Sequence, residues 1–335
     1  MGKLKDLLGL GSPIVDVSSY GTDQFLDDHG LIKGSMTLVD LDTISNLRST
    51  IGTYTETSGG SVANTILGFS LLGGNASYVG KISNDRMGQV FKADLESNSV
   101  LFHSGNYSLN SHTSMCLVII TPEGERTMAT YLGASIELNE DDIDPKIISD
   151  HTTVYIEGYL FDAPASMSAI VKVCDIAKAN GQSIALGLSD SFCVDRNRNA
   201  FEYFIDKYVD ILFSNEREII SLYRAEDIDV AIRESTLHCE TVVTTLGPNG
   251  SVISNAGDTY AVKPVMIDID KVIDTNGAGD LYASGFLYGI THGYDFALCG
   301  RLGSASAGYV ISQIGARPGI GFRDSVHNVL GNNKV

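Results

Sequence analysis

Basic residues are in short supply. The 335-residue chain holds 23 Lys and Arg against 41 Asp and Glu, a formal charge of −18. Such an imbalance argues against general nucleic-acid binding and against attraction to anionic membranes. Any site for a polyanion must then gather its positive potential locally. Cysteine is scarce as well. Cys116, Cys174, Cys193, Cys239 and Cys299 are widely spaced and form no C-x-x-C, which excludes a disulfide framework or zinc ribbon and suits thiols in a reducing compartment. No H-E-x-x-H is present, and no run of 18 apolar residues. The residues before Pro13 contain no uninterrupted apolar stretch, and Asp6 stands where a myristoylation signal requires Ser or Thr. A cytoplasmic protein without a membrane partner is expected. Low-complexity segments, internal repeats and linkers are also missing, so residues 1–335 read as one domain.

Two familiar nucleotide motifs fail on inspection. Gly9-Leu10-Gly11-Ser12-Pro13 begins like a dinucleotide fingerprint but lacks the third glycine. Gly80-Lys81-Ile82 resembles the end of a phosphate-binding P-loop, yet Asn75 replaces the first glycine and Ile82 the hydroxyl residue.

What is present is an alternation of short apolar strands and helical patterns. Residues 76–82, 154–159, 183–188, 209–213 and 241–245 read as strands. The spacing predicts helices over 165–180, 216–224 and 228–238, the first closing on Asn180-Gly181. Strands apolar on both faces imply a mostly parallel sheet flanked by helices, an α/β fold in three layers. Residues 23–40 and 101–132 break the rhythm with turn residues and in-out alternation, and are expected to form a small antiparallel β lid. The small residues of 296–314, including Gly300, Gly303 and Gly308, predict close helix packing.

Asp274-Thr275-Asn276-Gly277-Ala278-Gly279-Asp280, followed by the apolar run 281–290, carries the most chemistry. Three small residues at a helix start let the N–H groups of Gly277, Ala278 and Gly279 approach an anion, aided by the helix dipole. A carboxylate beside an anion hole is electrostatically disfavoured. A general base for a hydroxyl attacking the bound anion is one reason for Asp280 to be there; a plain helix cap is another. Gly59-Gly60-Ser61-Val62-Ala63-Asn64 opens a second helix pattern, with Asn64 able to offer a donor and an acceptor to a ligand hydroxyl. Asp16, after a strand read as 11–15, can accept from vicinal hydroxyls. Asn215 and Glu218 open a helix and suit the waters of a hydrated Mg²⁺, and Thr245, Gly247 and Gly250 mark a strand end and glycine turn. Each of these also has a plain structural reading.

Their order along the chain resembles the PfkB (ribokinase-like) family of carbohydrate and nucleoside kinases. Asp274-Thr275-x-Gly-Ala-Gly-Asp280 matches its C-terminal signature. Gly59-Gly60 with Asn64, Gly73-Gly74 and Asn84-Asp85-x-x-Gly88 matches its N-terminal one. The resemblance implies Asp280 as catalytic base and Gly277, Ala278 and Gly279 as anion hole. It implies Asp16, Gly60 and Asn64 on the acceptor hydroxyls, and Asn215, Thr245, Gly247 and Gly250 at ATP. Glu218 would face Mg²⁺ through water, and Arg126 the transferred phosphate. A K⁺ ion near the Asp274 loop is a further family expectation. Within the family, Gly-Gly-Ser-x-x-Asn and Gly11-Ser12-Pro13-Ile14-Val15-Asp16 are similar to adenosine kinases. The resemblance thus implies ATP-dependent phosphorylation of the adenosine 5′-hydroxyl, with ribose or fructose as the other acceptor class, by a monomer or homodimer. A protein that binds nucleosides or phosphate without turnover is the non-enzymatic alternative.

Overall fold

The computed structural model describes residues 4–267 and 271–331; Met1, Gly2 and Lys3 of the amino terminus lie outside them. Fourteen strands among the described residues build two sheets. In chain order they are β1 Lys5–Leu10, β2 Ile14–Tyr20, β3 Met36–Leu38, β4 Tyr54–Gly59, β5 Ala76–Val79, β6 Leu101–His103 and β7 Ser114–Ile120. There follow β8 Arg126–Tyr131, β9 His151–Glu157, β10 Ser183–Gly187, β11 Ile211–Asn215, β12 Thr241–Thr245, β13 Ser251–Asn255 and β14 Asp258–Val262.

The large sheet runs β14-β13-β12-β11-β10-β9-β1-β5-β6. All its neighbours are parallel except the β12-β13-β14 hairpins. Side-chain alternation explains why helices cover both faces. Leu8, Leu10, Val154, Ile156, Ile184, Leu186, Leu212 and Val242 belong to one core, with helices Ser166–Ala179 and Ser191–Tyr208. Leu7, Tyr78, Tyr155, Ala185, Phe213 and Val243 belong to the other, with helices Ser61–Leu71, Ala278–Thr291 and Phe296–Val310. The expected three-layer arrangement of the ribokinase-like fold is therefore observed. Close packing of the small residues is observed too: a methyl group on Gly289 would meet Cys299 Sγ at 2.7 Å, and one on Gly303 would meet Tyr282 O at 2.9 Å. All five cysteines are buried and free.

The second sheet, β3-β8-β7-β2-β4, differs from the hairpin picture of 23–40 and 101–132. Thr22 caps a helix at Asp23–Asp28, and only Met36–Leu38 of that segment is strand, parallel to β8. Residues 101–103 add to the edge of the large sheet, leaving β7 and β8 as the hairpin. Val15, Val17, Leu117, Ile119 and Ala129 of this sheet share one core with Leu26, Ile44 and Leu47 of the helices Asp23–Asp28 and Leu41–Thr50. Asp16 is also displaced from its expected place after a strand at 11–15. The turn Gly11-Ser12-Pro13 ends β1, and Asp16 sits inside β2 of the small sheet, opposite Thr57 and Cys116. Pro13, which has no N–H, favours that break.

Strand order reverses at β1, which lies between β9 and β5 although β2 to β4 intervene in sequence. In open α/β sheets the crevice at such a point, at the carboxyl ends of the strands, is where ligands bind. Much of the chain's acidity is spent on helix starts. Asp40, Asp85, Asp190, Asp227 and Asp295 each accept a first-turn N–H. The helices Ser61–Leu71 and Ala278–Thr291 have no side-chain cap.

Candidate active site

Those two uncapped helix starts meet each other. Ser61 Oγ donates to Asp280 Oδ1 at 2.6 Å, and Asn64 Nδ2 donates to Oδ2 at 2.8 Å. Asn64 is thus not simply free for a ligand: its amide holds Asp280. Its Oδ1 remains buried without a partner, a cost of about 1–3 kcal/mol that a ligand hydroxyl would relieve. Burial pushes the Asp280 carboxyl above the usual range, while Ser61, Asn64 and the Arg317 charge pull it back.

Gly277 precedes the helix at Ala278, whose N–H leans on Thr275 O at 3.3 Å. The first-turn N–H groups of Gly279 and Asp280 have no acceptor within the helix. A methyl on Gly279 would meet nothing within 4 Å, so this start is open to a ligand. Gly60 (φ 96°) needs to be glycine on two counts, since a methyl there would also lie 2.5 Å from the Ser12 carbonyl oxygen.

Gly279 and Asp280 share a cleft with Ser61, Gly187, Ser189, Asn215, Glu218 and Thr245. Gly187, Ser189, Asn215, Glu218 and Thr245 lie at or just after the carboxyl ends of β10, β11 and β12, and Ser61, Gly279 and Asp280 at the two helix starts. Asn215 and Glu218 form a reciprocal capping box: Asn215 Oδ1 accepts from Glu218 N at 2.9 Å, and Asn215 N and Nδ2 donate to the Glu218 carboxylate at 2.8 and 2.6 Å. Both side chains line the cleft and engage each other, Asn215 exposed and Glu218 buried beneath it. Burial raises Glu218 to about 7, so a cation in the cleft would gain a carboxylate by drawing off its proton. No group of three or more His, Cys, Asp or Glu side chains among the described residues is arranged as a metal cage. Gly247 turns the chain after Thr245, and Gly250 closes the β12-β13 hairpin; neither lines the cleft.

Asp16, Arg126, Asp274 and Arg317 lie outside the lining of that cleft. Burial lifts Asp16 to about 6, moderated by the Arg317 and Arg126 charges. Arg126 opens β8 and is no exposed hairpin residue: Nη2 pairs with Asp274 Oδ2 at 2.6 Å, both side chains largely buried. Asp274 also accepts from Asn276 N at 3.0 Å and Gly315 N at 2.8 Å. Its carboxylate is filled by protein donors, which leaves the K⁺ expectation without support from this residue.

Sequence reasoning missed three participants. Ser61 was readable only as a helix-start residue. Glu157 ends β9 with its carboxylate on Ser12 N at 2.6 Å, and burial raises it to about 8. Arg317 is partly buried, with Nε on Ser58 O at 2.6 Å, Nη2 on Ser58 Oγ at 2.6 Å and Nη1 on Ala63 O at 3.1 Å. The only local signal was a charged residue set among Gly315, Ala316, Pro318 and Gly319.

Comparison with known proteins matches this arrangement to a family. The model described as pfkB family carbohydrate kinase covers residues 33–321. An adenosine kinase structure from Sinorhizobium meliloti superimposes with a TM-score of 0.88 at 38% identity, covering 98% of this chain and 99% of that one. A probable sugar kinase from Rhizobium etli CFN 42 gives 0.89 at 38% identity, covering 99% of each. Among curated proteins, the adenosine kinase of Dictyostelium discoideum is 27% identical across 92% of this chain and 95% of its own length. The family implies ATP as co-substrate. No described helix is long and apolar enough to cross a membrane. The chain belongs to the PfkB family of carbohydrate kinases, phosphotransferases that act on an alcohol group.

Proposed function

We propose that the protein transfers the γ-phosphoryl group of ATP to the 5′-hydroxyl of adenosine, with Asp280 as catalytic base. The observation that carries this reading is the setting of Asp280: a partly buried carboxylate at an uncapped helix start, on the rim of a cleft and held at both oxygens by Ser61 and Asn64. In that setting the carboxylate takes the hydroxyl proton as the hydroxyl attacks phosphorus. N–H groups of the Gly277–Gly279 turn and first helical turn face the charge that develops on the phosphoryl oxygens. Asp16 and the unpartnered Asn64 Oδ1 hold the sugar hydroxyls beside Gly60. Glu218 faces the cleft where bound Mg²⁺ would neutralise phosphate charge, with Thr245 and the Gly247 turn alongside.

The site-facing side of the small sheet supports a base-bearing acceptor. Cys116 and Val118, with Ile14 and Met128 packed against them, extend an apolar surface on the sheet that carries Asp16. A purine next to a ribose on Asp16 would bury the partly exposed Ile14 and Met128, which rest on the buried Cys116 and Val118. The similarity to adenosine kinases agrees with this acceptor. A free sugar is the second reading, favoured by the equal similarity to the Rhizobium etli protein. An ATP-consumption assay over adenosine, other nucleosides, ribose, fructose and fructose phosphates tests the choice. Adenosine should give the highest kcat/KM, and preference for a free sugar overturns the nucleoside assignment.

A further inference from the structure

The turn Gly315-Ala316-Arg317 touches both segments that lead into the helix starts meeting at Asp280. Gly315 N donates to Asp274, and Ala316 Cβ packs where a methyl on Gly277 would come within 2.5 Å. Arg317 then runs inward and spends its guanidinium on the end of β4, at Ser58, and on the first turn of helix Ser61–Leu71, at Ala63. Ser58 is fixed in turn from behind by Asp94 of helix Arg86–Ser97, which accepts from its N–H at 3.1 Å and from its hydroxyl. Ser58 and Ala63 bracket Gly59-Gly60-Ser61, the segment that packs on Asp16 and supplies Ser61 to Asp280.

Desolvating even a partly buried guanidinium is costly unless it meets opposite charge. The charges it meets are Asp94, Asp16 and Asp280, with the Tyr78 hydroxyl nearby. We propose that Arg317 is a positioning residue for phosphoryl transfer. Together with Gly315 and Ala316 it clamps the Gly59–Ser61 turn against the Asp274–Gly279 loop, and it supplies the positive charge that faces both Asp16 and Asp280. This inference rests on Asp280 being the base.

The test uses Arg317→Gln and Arg317→Lys in the full chain, with Asp280→Asn as reference. Arg317→Gln should lower kcat at least about 100-fold by misplacing the acceptor and base. It should also move the acid limb of the kcat–pH profile upward by about one unit or more, because an opposing charge has gone. Besides Arg317, the groups facing Asp280 are Ser61 and Asn64, and the ionisable neighbours that feel its charge are Asp16, Tyr155, Glu157, Tyr159 and Glu218. All of these are unchanged in the variants, so the shift isolates Arg317. Arg317→Lys keeps the charge but cannot span Ser58 and Ala63, so its limb should stay in place while kcat falls. A folded Gln variant with wild-type kcat and limb overturns the proposal. If the Gln variant does not fold, wild-type kcat in the Lys variant overturns it. Asp280→Asn with near-wild-type turnover overturns the base assignment instead, whatever Arg317 does.

Discussion

Asn64 and Asp280 lie 216 positions apart in sequence and are joined by a 2.8 Å hydrogen bond at the meeting of two helix starts. One residue thus orients the carboxylate with its amide and keeps an acceptor oxygen in reserve.

Asp280→Asn should lower kcat by about 10²–10⁴-fold, the range for loss of a general base, while nucleoside affinity by calorimetry stays within a few-fold. Asn keeps the shape and can still accept from Ser61, so folding is expected to survive. Near-normal turnover would remove Asp280 from the base role.

Stability of the ligand-free protein should fall as pH rises above about 6.5; below that, His103, His151 and His327, lowered by burial, act in the opposite sense. Burial raises Glu157 from 4.5 to about 8, Glu218 to about 7 and Asp16 to about 6. A carboxyl raised on folding binds more protons in the native state, so its contribution is complete below its unfolded value and is lost as pH climbs through the folded one. Chemical denaturation between about pH 6.5 and 8.5 should show the decline. Glu157→Gln, which can still accept from Ser12 N, should flatten it by up to about 1.4 kcal/mol per pH unit over the titration range of one proton. An unchanged slope in that variant would locate the effect elsewhere.

Arg126→Met should leave Asp274 with its two backbone donors alone. Amide exchange at 126–131 and 272–277 is then expected to quicken in the free protein. If the small sheet closes over substrate, 23–40 and 114–131 should gain protection when adenosine and a non-hydrolysable ATP analogue bind together. Equal exchange with and without ligands would show that the sheet does not close.

Gly285→Ala tests the packing of helices Ala278–Thr291 and Phe296–Val310. The added methyl would meet Leu302 O and, at 2.5 Å, Ser306 Oγ. Overpacking of this kind costs about 1–3 kcal/mol, readable as a lowered Tm, and an unchanged Tm would mean the helices separate freely.

The parallel sheet was legible because its strands are short and apolar on both faces: β12 falls on the expected 241–245, and helix Ser166–Ala179 is within a residue of the expected ends. Helix Ser191–Tyr208 escaped notice since Asp195-Arg196-Asn197-Arg198-Asn199 interrupts its apolar spacing and Asn197 leaves helical geometry. The 23–40 segment misled for a different reason. Its turn residues are helix caps and connections, and its one short strand gains its pairing from β8, roughly 90 residues on. Of the site, residues set at helix starts by glycine could be read directly. The Glu157 and Arg317 side chains could not, since what makes each distinctive is burial against residues remote in sequence. Asp274 was readable as part of a motif, while its pairing with Arg126 depends on how the small sheet is placed.

The distance between Arg317 and Ser58 along the chain, 259 residues, has a consequence for biosynthesis. β1 lies between β5 and β9, so an emerging chain can assemble the middle of the large sheet long before its last tenth is made. The clamp on the Gly59–Ser61 turn, however, waits for the final helices. A nascent chain ending near residue 312 would present Asp280 and Asn64 without the cation that faces them. Activity should therefore appear in one step, once the segment around Arg317 is free to fold onto the Gly59–Ser61 turn, rather than build up as the sheet grows.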